Sequence, residues 1–326
     1  MRIVSLLLFL TFASACSGEK ADRELNPELV IVRFDKDLYS FLIQNPDKNL
    51  LVENKAFLNE YGEKVIYIGS TDSIGFFQDL KNFFSEPTLM QLCADQQVKF
   101  QDISELNKEL SSGMEILLEN FPMLKQPKIY MHVSGLNQNV IVTDEILSIS
   151  ADKYLGADYF LYQDHFFDYQ RQLMSPDRVV PDYLLGFMMA NLPFIGNADR
   201  LLDRILYEGK LRYILSQIIP NRKDWEYVAY NKEQYNWCLT NQARIWKSIL
   251  EKQHLFQSDY LITSQYVNDA PYTVALPMES PGRVGIWIGY RIIDSYMKNH
   301  PKTSLQELMN ITDYQRLLKE SKYQPK

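Results

Sequence analysis

The stretch most suggestive of chemistry is Leu201 to Pro220, LLDRILYEGKLRYILSQIIP, where Glu208 stands inside an apolar helical pattern. Helical zinc peptidases place two histidines at i and i+4 on one face. Both bind the metal, and the glutamate after the first activates water. The corresponding frame here is Tyr207-Glu208-Gly209-Lys210-Leu211. Neither end is a histidine, and Leu211 has no ligating atom. Lys210 adds a positive charge beside the place a cation would occupy. The frame therefore predicts a degenerate site with no catalytic residue and no metal. Tyr207, Glu208, Lys210 and Leu211 are its remnant, and Glu208 is structural and paired with a cation. The alternative is a hydrolase of peptide or glycan that uses Glu208 as general base.

A second distinctive stretch, Pro281 to Met297, reads PGRVGIWIGYRIIDSYM. Gly285 and Gly289 are four apart, so on one helix face they would admit a close neighbour. The stretch lacks the Lys-Ser/Thr of a phosphate loop. Arg283 at the helix start opposes the helix dipole and calls for a carboxylate; Glu208 is the candidate partner. The histidines, His132, His165, His254 and His300, are scattered, which argues against a structural zinc site. Cys93 and Cys238 are left between two readings, a disulfide or two small buried hydrophobes. No cofactor is expected.

The chain opens MRIVSLLLFLTFASACSGEK. Arg2 precedes an apolar run from Ile3 to Phe12, too short to span a bilayer core of about 20 residues and of the length of a secretory h-region. Ala13-Ser14-Ala15-Cys16 resembles the lipobox of bacterial lipoproteins, with Ala13 where Leu is usual. That resemblance implies cleavage before Cys16 and lipidation of its thiol by palmitate-type chains. The alternative is an ordinary cleavage after Ala15 that leaves Cys16 free. Residues 1–15 are thus a signal peptide. Residues 16–28 form a polar tether whose last twelve positions reach roughly 20 Å.

The full chain has 326 residues, with 34 Lys+Arg against 41 Asp+Glu, a net charge of −7. Loss of Arg2 with the signal peptide leaves 33 against 41, a net of −8. An acidic chain with no basic run is a poor partner for nucleic acid, and the lipid rather than charge must hold it at a membrane.

Periodicity then predicts the elements. Val30 to Phe34 reads as a strand running into a helix, and Val65 to Gly69 as another strand. Helices are expected over Ser73 to Phe84 and Ile103 to Phe121. KIYMHVSG and NQNVIVTDEILSIS read as a hairpin or adjacent strand pair, with Gly135 to Asn139 as the turn. Further helices are expected over Pro181 to Phe194, Asp199 to Ile219, Asn231 to Leu250, Arg283 to Met297 and Ser304 to Leu318. The fold class is α+β: a mixed α/β lobe over 29–150 and a largely helical lobe over 151–326. With no linker-like composition between them, residues 29–326 are expected to form one domain.

VRFDKDLY (Val32 to Tyr39), YLGADYF (Tyr154 to Phe160), ILYEGKLRYIL (Ile205 to Leu215), the Pro281 to Met297 stretch and the ending LQELMNITDYQRLLKESKYQPK resemble the gliding-motility-associated lipoprotein family GldB. The resemblance covers nearly the whole mature chain. It implies a protein lipid-anchored to the cell envelope, at the periplasm-facing side of the inner or outer membrane. It also implies envelope protein partners in gliding and type IX secretion machinery. A more distant likeness to zinc peptidases implies a zincin-like, pseudo-peptidase architecture.

Overall fold

The computed structural model describes residues 29–44, 48–137 and 140–325. Cys16, the signal peptide and the tether lie outside them. The N-terminal part runs β1 (Ile31–Val32), α1 (Phe34–Gln44), α2 (Asn49–Val52), α3 (Lys55–Lys64), α4 (Phe76–Phe83), α5 (Pro87–Lys99) and α6 (Ser104–Asn120). Three strands follow: β2 (Lys128–His132), β3 (Val140–Val142) and β4 (Ile146–Ser150). The rest is helical: α7 (Phe160–Gln163), α8 (Asp168–Arg171), α9 (Val179–Asn191), α10 (Leu201–Ile218), α11 (Asp224–Tyr227) and α12 (Lys232–Glu251). It ends with α13 (Tyr260–Val267), α14 (Val284–Asn299), α15 (Leu305–Asn310) and α16 (Tyr314–Ser321). The architecture is α+β, and no described helix is long and apolar enough to cross a membrane.

The sheet has the order β1-β2-β4-β3. β1 and β4 both run parallel to β2, and β3 is antiparallel to β4. Alternation along the strands divides two cores. Ile129, Met131, Leu147 and Ile149 face the main core, whereas Tyr130 and Ile146 face a smaller one under α1, α3 and α4. In the smaller core Phe57 stacks on Tyr130 with centroids 4.2 Å apart, and Phe34 meets Phe57 edge-on at 4.8 Å. The main core draws on both sides of residue 150, joining Met114 and Leu117 of α6 to Leu184, Ile205 and Ile218.

Three expectations change. Val65 to Gly69 is not a strand. The chain turns there, with Tyr67 at φ 55° and Gly69 at φ 98°, and the amides of Ile68 and Gly69 donate to the Gly62 carbonyl at the end of α3. β2 does not form a hairpin with the strand that follows it: it pairs parallel with β4, the adjacent-pair alternative, and part of the expected turn, Gln138 and Asn139, lies outside the described residues. The hairpin is β3–β4, where the Thr143 hydroxyl accepts from Ile146 N at 3.1 Å. The last expected helix is two, because the Asp313 side chain caps a fresh start by accepting from Arg316 N.

Other helices begin and end where side chains dictate. Asn231 and Gln234 form a reciprocal capping box ahead of α12. Pro220 closes the chain after α10. α10 is buried on nearly every side and packs along α14. Glycines set that crossing. A Cβ on Gly289 would lie 1.8 Å from the Ile205 carbonyl oxygen, and one on Gly209 2.3 Å from the Gly289 carbonyl carbon. Gly285 sits 2.9 Å, on the same measure, from Ile205 and Tyr266. The close helix approach expected of Gly285 and Gly289 is what the structure contains.

Candidate functional site

On α10, Arg204, Glu208 and Arg212 are spaced by one turn, so their side chains share a stripe. Arg204 Nη2 lies 3.1 Å from Glu208 Oε1, and Arg212 Nη2 lies 3.7 Å from Oε2. Glu208 is 4% exposed. Its expected partner, Arg283, is elsewhere: Arg283 Nε meets Asp269 Oδ1 at 3.1 Å and Nη2 donates to the Ala229 carbonyl at 2.9 Å. Helical spacing gives Glu208 two guanidiniums of its own helix, which removes the need for a distant one.

The rest of the frame points apart. The Tyr207 hydroxyl donates to the Leu192 carbonyl at 2.9 Å, and Leu211 is core. Lys210 is buried with its ammonium on the carbonyls of Met309 and Ile311 and 4.8 Å from the Tyr314 ring centroid. Burial without an anion lowers its pKa to about 8. Cys93 and Cys238 are free thiols in different cores, so the disulfide reading is not realised. Burial pushes both thiols up. Among the described residues, no group of three or more His, Cys, Asp and Glu comes together as a metal site.

A cleft opens beside α10 instead. It consists of two adjoining hollows of about 410 and 250 Å³ that share Leu173, Arg178, Ala229, Asp269 and Arg283. Four segments supply its charged groups and Tyr154. Lys153 and Tyr154 follow β4, Arg178 and Asp182 flank the start of α9, and Arg212 comes from α10. Asp269 and Arg283 come from the approach to α14. Arg178 pairs with Asp182, whose other oxygen accepts from the Tyr154 hydroxyl at 2.9 Å. Phe166, Met174, Leu185 and Met189 make an apolar wall. Ala229 and Arg283 both hold left-handed φ, at 55° and 58°, a conformation costing about 1 kcal/mol or more for a residue with a Cβ.

Arg212 is the unusual member. It is 7% exposed, yet its Nε and Nη1 have no hydrogen-bond partner among the described residues. Burial lowers its pKa; Glu208 raises it, and the nearby Arg283 and Arg178 lower it again. Arg178 Nε is likewise buried and unpartnered.

Behind the cleft, a buried polar network ties the ends of β2 and β4. Asp152 accepts from the amides of Ser134 and Leu136 at 2.9 and 2.8 Å and from the Ser150 hydroxyl. Burial still raises its pKa against those bonds. The network fixes the segment that presents Lys153 and Tyr154. His132 Nδ1 lies 2.6 Å from Ser148 Oγ, a nucleophile-and-base pairing in outline. Both residues are fully buried, however, and burial lowers the His132 pKa to about 3, which fits a core histidine.

The Arg204-Glu208-Arg212 ladder and the Arg178-Asp182 pair carry a readable i,i+4 signal. The convergence of Lys153, Asp269 and Arg283 on them does not, since it depends on long-range packing.

Fold and site together define an α+β protein with a mixed four-stranded sheet and an arginine-lined cleft beside its central helix. The family model described as gliding motility protein GldB matches residues 16–325. The chain belongs to that family, a family of gliding motility lipoproteins. No curated protein and no solved structure matches it.

Proposed function

We propose that the protein is a non-catalytic lipoprotein of the bacterial cell envelope, anchored through Cys16 and working with protein partners in gliding and type IX secretion-type machinery. The observation that carries the non-catalytic reading is the state of Glu208. Arg204 bonds one oxygen at 3.1 Å, Arg212 stands 3.7 Å from the other, and the residue is only 4% exposed, whereas a general base needs an oxygen open to the water it activates. The frame around it offers Tyr207 and Leu211 where peptidases have zinc ligands, and the Tyr207 hydroxyl is spent on a carbonyl. The anchor reading rests on the Ala13 to Cys16 motif and the polar tether behind it. Several acyl chains are needed for stable attachment, and the lipobox mechanism supplies them. Residues 29–326 act as one unit on that tether.

The test is labelling of cells with a radioactive or clickable fatty acid, followed by membrane fractionation of the wild type and Cys16→Ala. The wild type takes up label and stays with membranes; Cys16→Ala takes up none and is either released or retained as precursor. Mature Cys16→Ala that still fractionates with membranes, beside an unlabelled wild type, defeats the anchor. Stoichiometric zinc together with peptide cleavage that Glu208→Gln abolishes at unchanged thermal stability defeats the non-catalytic reading.

A further inference from the structure

We propose that the cleft beside α10 binds a small organic oxyanion, with its carboxylate or phosphate group between Arg212, Arg178 and Arg283 and its apolar part on Phe166, Met174, Leu185 and Met189. The inference goes beyond the function proposed above and does not depend on Cys16 being lipidated.

Three observations converge on it. The first is the orphaned guanidinium. A buried cation with open N–H groups is costly, and native proteins keep such groups paired. Arg212 has its nearest carboxylate oxygen at 3.7 Å, and two of its nitrogens bind nothing among the described residues. Arg212 lines the larger hollow, so an oxyanion entering it would lie beside this under-bonded guanidinium.

The second is the sign of the site. Lys153, Arg178, Arg212 and Arg283 line the larger hollow against only Asp182 and Asp269. The chain as a whole is acidic, so a locally positive hollow is not a by-product of composition. Low-dielectric walls focus that field on a guest of opposite sign. Planar guanidiniums suit carboxylate and phosphate oxygens alike, through paired N–H donors.

The third is shape. A hollow of about 410 Å³ lies within the range of small-molecule sites and combines an apolar wall with a few convergent polar groups. Inorganic anions would leave the wall unused, which is why the ligand should carry an apolar portion.

Carboxylate and phosphate sources are separated by probe. Detergent-solubilised mature protein is titrated calorimetrically with hexanoate, hexyl phosphate and uncharged hexanol, at low and high salt. Saturable binding of at least one of the two anions is expected, weakened by salt, with hexanol at least tenfold weaker. The tighter anion names the source. Arg212→Met should lower the affinity at least tenfold. Met189 is 45% exposed at the wall, so Met189→Glu should fold normally and repel the same ligand, whereas Met189→Gln should not. If neither anion saturates, if hexanol binds as well as the anions, or if Arg212→Met and Met189→Glu both bind as the wild type does, the proposal fails.

Discussion

Arg222, half-buried, and Arg212, buried, lie near the same helix at 13% and 9% side-chain exposure, but their surroundings are opposite. Arg222 holds both oxygens of Glu109 at 2.7 Å through Nε and Nη2, and its Nη1 donates to the Asp177 carbonyl at 2.6 Å. Burial alone would lower its pKa, but the Glu109 hydrogen bond and charge win and raise it. Arg212 has one carboxylate oxygen at 3.7 Å and a lowered pKa. Burial therefore does not separate a structural arginine from one available to a guest. The number of filled donors does. Arg222 clamps α6 to the turn after α10, and Arg212 faces a hollow.

The comparison can be broken at several points. The largest effect should come from Glu208→Gln, which leaves two guanidiniums on α10 without an anion. Removal of one partner from a buried ionic group typically costs about 3–5 kcal/mol, and the partial exposure of Arg204 puts this case at about 3 kcal/mol in denaturant unfolding. A neutral outcome would mean that the ladder is ornamental. Next, Arg222→Met should cost about 1–2 kcal/mol, because its charge-assisted bonds are strong but Glu109 is partly exposed. Arg212→Met should change stability by less than about 1 kcal/mol, since Arg204 still holds Glu208 and the Arg212–Glu208 contact that is lost is long, at 3.7 Å. If the two variants rank the other way round, Arg212 is the structural residue.

The smallest effect is a pH dependence at Lys210. Its folded pKa, about 8, is below the ordinary value of 10.5, so between those values the unfolded chain binds the extra proton. Stability from this residue therefore rises with pH across that window and is lowest below it. The buried Cys93 and Cys238 thiols act in the opposite direction above their ordinary value of 9.0, so the wild-type curve alone is ambiguous. The difference between wild type and Lys210→Met isolates the lysine: the variant should lose the gain between pH 8 and 10. Equal slopes for the two proteins would show that Lys210 is not buried as a cation.

Much of the helical framework was legible in the sequence because its boundaries are local. Asn231, Ser304 and Pro220 mark ends that α12, α15 and α10 obey. Val65 to Gly69 misled because β-branched residues also suit a chain that wraps back over a helix end, and Gly62 permits the Gly69 carbonyl to do so. Of the two readings of the segments around β2 and β4, the adjacent pair is what forms; the hairpin misled because a parallel pair leaves no turn signature between its partners. At the site, the right residues drew attention for incomplete reasons. Glu208 stood out as a charge in an apolar pattern and Arg283 as a cation at a helix start, but they were expected to meet. The i,i+4 arginines on either side of Glu208 were already in the string and would have satisfied it. Asp269, Lys153 and Tyr154 reach the cleft only through the packing of remote segments, which no spacing encodes.

The contact between Gly289 and the Ile205 carbonyl also acts as a mechanical stop. Elsewhere two helices meet through side chains that can change rotamer and let the axes drift. Here main chain rests on main chain, so the gauge between α10 and α14 has no such play. Arg212 sits three residues beyond Gly209, and Arg283 six residues ahead of Gly289, about 9 Å of helical rise. The backbone positions from which the two arginines reach into the hollow are thus held at a fixed spacing, in the manner of a caliper locked at one width. A guest too long for it must trail out toward solvent instead of prising the jaws apart, so the cleft should sort its ligands by the girth of the end that enters first.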